Sequence, residues 1–121
     1  MGDAILVVDD QRDLRLLIRL SLLSLGRVET AGTTAEALDR VRADPPRLIV
    51  LDVSLGTESG LELCTRLKSD PATAPIRILL LSAYGQQADV GAGMAAGADA
   101  YMVKPFSPRE LLEAAADLMK E

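Results

Sequence analysis

Five polar side chains stand at the ends of four short apolar runs. ILVV runs into Asp9 and Asp10, LIVL into Asp52, IRILLL into Ser82, and AYMV into Lys104, which Pro105 follows. If these runs are parallel strands of one sheet, their carboxyl ends meet at one rim, where open α/β sheets bind ligands. Three carboxylates that close repel one another and stay ionised only when a cation shares the site. All-oxygen donors with no His or Cys nearby favour a hard ion, Mg²⁺ ahead of Ca²⁺. Lys104 adds a compact positive charge suited to a phosphoryl group, and Ser82 a hydroxyl that can donate to one of its oxygens. Such a set suits phosphoryl transfer, where catalysis is mostly positioning and charge neutralisation. Asp52 stands centrally and is the expected acceptor, as an aspartyl phosphate. Asp9 and Asp10 are the expected metal holders.

The elements that must place these groups follow from periodicity. Strand-like runs cover Ala4–Val8, Arg27–Ala31, Arg47–Leu51, Ile76–Leu81 and Ala100–Val103. Leu14, Leu17, Ile18 and Leu25 follow helical spacing, and Gly26 closes that helix. Thr33 with Glu36 has capping-box spacing and opens a second helix, which Asp44-Pro45-Pro46 stops. Ser59 caps a third that carries Leu63, Cys64 and Leu67 and ends before Pro71. A weaker fourth lies between Gln86 and Ala96, where Gly91 and Gly93 each cost roughly 1 kcal/mol relative to Ala. Ser107, Pro108 and Glu110 open a last helix with Leu111, Leu112, Ala115, Leu118 and Met119 on its apolar face.

Strict alternation of strand and helix predicts an α/β fold, a doubly wound five-stranded parallel sheet with right-handed crossovers. The first, third and fourth runs are almost continuously apolar, as strands covered on both faces are. The second and fifth are natural edges. This suits the flavodoxin-like order 2-1-3-4-5 in a three-layer (βα)5 arrangement, with Asp9, Asp10 and Asp52 at its switch point.

At 121 residues and 49% hydrophobic, the chain is read as one domain over 1–121 rather than a disordered segment. A net charge of -5 opposes direct nucleic-acid binding, which needs clustered Lys and Arg. No apolar stretch approaches membrane-spanning length, so a soluble, cytoplasmic protein without membrane contact is expected. Histidine is absent, which removes His metal sites, Ser-His catalysis and a phosphohistidine carrier role. The single Cys64 reads as a small buried hydrophobe.

LVVDD, LIVLDV, the SA of LLLSAYG, and GADAYMVKPF match, in order and spacing, the receiver domain of two-component response regulators, and the resemblance covers the entire chain. It implies a phosphorelay function, with a histidine kinase or histidine phosphotransfer protein donating phosphoryl to Asp52. It implies Mg²⁺ held by Asp10, Asp52 and the backbone carbonyl of Ser54, with Asp9 helping through water. Ser82 would turn toward the phosphoryl group, Lys104 would contact it, Tyr101 would change rotamer as a switch, and the peptide before Pro105 would be cis. Ser54 and Tyr84 occupy positions that tune water access in the family. Only its own phosphorylation and dephosphorylation would be catalysed.

One departure is the loop SLGTESG, where Gly56 replaces the usual proline and is expected to loosen the loop. Leu16, Leu20 and Leu23 form a second apolar set on the first helix. Burial by neighbouring elements is the favoured reading, and an exposed face for the phosphodonor's helices the other. Arg12, Arg15 and Arg19 fit either a docking rim or a solvated face. The downstream target is open, a monomer or weak homodimer is expected, and the chain is either a stand-alone receiver or a piece of a larger regulator. The runner-up function is a receiver-like interaction module that works without phosphorylation.

Overall fold

The computed structural model describes residues 4–83 and 87–120. The elements are β1 (Ile5–Val8), α1 (Arg12–Leu22), β2 (Val28–Ala31), α2 (Thr34–Ala43), β3 (Leu48–Asp52), β4 (Ser54–Leu55), β5 (Glu58–Ser59), α3 (Gly60–Ser69), β6 (Arg77–Ser82), α4 (Gln87–Ala95), β7 (Ala100–Val103) and α5 (Pro108–Met119). Five strands pair in parallel in the order β2-β1-β3-β6-β7. This is the expected flavodoxin-like order once the short antiparallel pair β4–β5, which sequence reading missed, enters the numbering.

Strand alternation divides the core. Leu6, Val8, Ile49, Leu51, Ile78 and Leu80 face one side with residues of α2 and α3, including the fully buried Cys64. Ile5, Val7, Leu48, Val50, Leu79 and Leu81 face the other, with Ile18 and Leu22 of α1 and Leu111 and Ala115 of α5. Each fully buried Leu or Ile contributes roughly 1.5–3 kcal/mol of transfer free energy. Burial raises the Cys64 thiol pKa, which suits its structural role.

The caps hold largely as read. Thr33, Ser59 and Ser107 each accept the backbone N–H three residues on. The reciprocal half of the capping box forms only at Ser107–Glu110. In α1 the stripe that faces the core is Ile18 and Leu22, both buried, with the partly buried Leu14 one turn earlier, while the expected core residue Leu17 is 50% exposed. At 100° per residue, Leu17 lies one step off the line that faces the sheet. Leu16, Leu20 and Leu23 are also exposed, which corrects the expectation of burial: no neighbouring element covers that face among the described residues.

Candidate functional site

Strand register gathers the polar ends. Val8 pairs with Leu51, Asp52 with Leu81, and Ser82 with Val103, so the residues at or just past these positions line one rim. The Lys104 N–H donates to the Ser82 carbonyl at 2.8 Å, and the Lys104–Pro105 peptide is cis, as expected. Carboxylate oxygens of Asp9, Asp10 and Asp52 lie within 4.8 Å of one another. Asp9 and Asp52 are buried, and Asp10 stands exposed at the mouth.

Each Asp52 oxygen has a partner: Oδ1 accepts the Ser54 N–H at 2.9 Å and Oδ2 the Lys104 ammonium at 2.5 Å. Asp9 is half satisfied. Its Oδ1 accepts the Gln11 N–H at 2.8 Å, whereas the buried Oδ2 has no hydrogen bond, with Lys104 Nζ 4.0 Å away. Burial pushes the Asp9 carboxyl up to about 6; the Gln11 N–H opposes this, the Asp52 charge adds to it and Lys104 opposes it. The Ser82 hydroxyl is likewise buried without a partner. Orphaned polar atoms of this kind call for a ligand. Three carboxylates against one ammonium leave an excess of two negative charges, which a divalent cation would neutralise. The donor set is oxygen throughout, so the residues fit Mg²⁺. Asp10, Asp52, Ser54, Gly56, Ala83 and Lys104 line an open pocket of about 290 Å³, wide enough for a phosphoryl group beside such an ion.

A match to the family model described as the response regulator receiver domain extends over residues 5–116. The chain belongs to this family. Among curated receiver proteins, it is 42% identical over 112 residues to the alkaline phosphatase synthesis transcriptional regulatory protein PhoP of Bacillus subtilis, covering 92% of this chain and 46% of PhoP. It is 44% identical over 113 residues to response regulator MprA of Mycobacterium bovis, covering 93% and 48%. The chain thus spans about half the length of the curated relatives it matches. The BeF3-activated DrrB receiver domain superposes with a TM-score of 0.89 at 32% identity over 100% of both chains. Chemotaxis protein CheY4 of Vibrio cholerae does so at 0.88 and 28%, over 98% of this chain and 99% of its own.

The rim brings Asp9, Asp10, Asp52 and Lys104 together, with the Ser54 N–H on the Asp52 carboxylate and the Ser82 carbonyl bound to the Lys104 N–H. Tyr101, on edge strand β7, is 50% exposed and stands apart from the pocket. Tyr84 lies outside the described residues. The loop after Asp52 is ordered by its own chemistry: Ser54 pairs with Ser59 and Leu55 with Glu58, which leaves Gly56-Thr57 as a two-residue hairpin turn. Gly56 has φ +67°, a value closed to proline and costly for most residues. The missing proline permits a tight turn beside Asp10. Glu58 accepts the Thr34 N–H at 2.9 Å, which ties the hairpin to the start of α2.

Gly60 is equally constrained, since a Cβ there would strike the Asp52 carbonyl oxygen. Sequence reading missed these supports. Glycines and acids in a loop carry no pattern of their own; their meaning depends on which backbone lies opposite.

Proposed function

We propose that the chain is a phosphorylation switch in which Asp52 accepts a phosphoryl group from a histidine kinase or histidine phosphotransfer protein, with Mg²⁺ required. The observation that carries this reading is the cluster itself: Asp9, Asp10 and Asp52 within 4.8 Å, set against the single ammonium of Lys104. One Asp52 oxygen attacks phosphorus as the donor's P–N bond breaks, and the bonding pair returns to the donor imidazole. Asp9, Asp10, Asp52 and the Ser54 carbonyl would hold the metal, with Asp9 acting through water. Bound there, it would neutralise charge on the transferring oxygens.

As the acyl phosphate forms, the ammonium of Lys104 passes from the Asp52 carboxylate to a phosphoryl oxygen. Ser82 then donates its unpaired hydroxyl to another phosphoryl oxygen, and Tyr101 turns inward from its exposed position. Water then attacks phosphorus, the bond to the Asp52 oxygen breaks with its electron pair returning to the carboxylate, and the release of orthophosphate restores the resting state. The output passes to a protein partner. The exposed Leu16, Leu20 and Leu23 face of α1, flanked by Arg12 and Arg19, supports docking of the donor's helices there. Intact acceptor, acid pair, hydroxyl and lysine argue against a module that works without phosphate.

Incubation with Mg²⁺ and acetyl phosphate should add one phosphoryl mass to the parent and none to Asp52→Asn or to the parent in chelator. Equal gain in the variant would overturn the assignment.

A further inference from the structure

Arg15 was expected at a solvated or docking rim, yet its side chain turns back over the carboxyl end of β1. Its Nη1 donates to the Asp9 carbonyl at 2.9 Å, one turn after its own N–H bonds to the Gln11 carbonyl at 2.9 Å. The Gln11 N–H in turn binds Asp9 Oδ1. Residues 9, 11 and 15 thereby close a ring of three hydrogen bonds around Asp10, the exposed acid of the cluster. The guanidinium has a dedicated seat. A Cβ on Gly32, just beyond β2, would lie 2.6 Å from Arg15 Nη1. Gly32 does not have a positive φ, so backbone conformation does not call for glycine there, whereas any side chain would displace the Arg15 guanidinium from this position.

We infer that Arg15, seated over Gly32, is a positioning residue that fixes the Asp9–Asp10 peptide and so aims both acids at the cation bound by the cluster. The guanidinium fork suits this task, because its planar donors reach a carbonyl at fixed geometry, which a lysine does not reproduce. Groups that orient metal ligands through a hydrogen bond typically change affinity by about tenfold or more when removed. This inference rests on the reading of the acidic cluster as a magnesium site.

Calorimetric titration with Mg²⁺ alone at pH 8 tests it on the whole chain, for the parent, Arg15→Met, Gly32→Ala and the double variant. Each single variant should bind Mg²⁺ about tenfold more weakly. The double should be no weaker than either single, since both remove the same seat. In phosphorylation by acetyl phosphate, each single variant should need about tenfold more Mg²⁺ to reach half its own maximal rate. Melting in chelator provides the structural readout, and the Gly32→Ala methyl displaces only a flexible side-chain end if Arg15→Met folds poorly. Unchanged affinity in either single variant, or additive losses in the double, would overturn the inference while leaving the magnesium site standing. A parent that does not titrate with Mg²⁺ would overturn the proposed function, and this inference with it.

Discussion

At the residue scale, Asp9 is the most burdened group in the site. Its folded carboxyl titrates near 6 against an ordinary value of 3.8, chiefly because burial disfavours the charged form. A raised carboxyl pKa means stability that is full below 3.8 and lost as pH climbs through about 6. Two pKa units correspond to about 3 kcal/mol, as an order of magnitude. In chelator, Asp9→Asn should therefore stabilise the protein more at pH 7.5 than at pH 4.5, as read by urea unfolding. An equal effect at both pH values would show that burial of the charge is not the cause. Magnesium should restore the parent at the higher pH, because a bound cation relieves the same repulsion.

At the element scale, α4 contains two glycines that look alike in sequence and differ in space. A Cβ on Gly91 meets nothing within 4 Å, whereas one on Gly93 collides with Leu80 Cδ1 and comes 3.0 Å from Leu61 Cδ2. Gly93 packs directly against Leu80 of β6 and Leu61 of α3. Gly91→Ala should stabilise by about 0.5–1 kcal/mol through helix propensity. Gly93→Ala should destabilise by about 1–3 kcal/mol through overpacking. Thermal melts of the two variants separate these outcomes, and the same sign for both would refute the packing account.

Across the whole molecule, α1 divides its labour between core and surface. Ile18 is fully buried, while Leu20, two residues on, is 56% exposed. Ile18→Ala should cost about 2–5 kcal/mol in urea unfolding. Leu20→Ser should stay within about 0.5 kcal/mol of the parent. If the exposed leucines receive the donor's helices, Leu20→Ser slows transfer from a phosphorylated histidine phosphotransfer domain. Its reaction with acetyl phosphate should match the parent. Equal slowing with both donors would place the effect in the site rather than at the docking face.

Much of this molecule was legible before folding. Apolar runs ending in Asp10, Asp52, Ser82 and Lys104 specified strands, their order and the acid rim, because period and termination are local properties that burial reinforces. Ser107 and Glu110 declared their cap for the same reason. What the sequence could not determine depends on pairs far apart in the chain: which of Leu17 and Leu22 faces the core, and why Gly32, Gly56 and Gly60 have no side chain. The same holds for Arg15, which reaches the Asp9 carbonyl rather than water. A residue's type states which contacts it can make. Only the tertiary structure decides which backbone lies opposite to receive them, since a small rotation about a helix axis exchanges core for solvent.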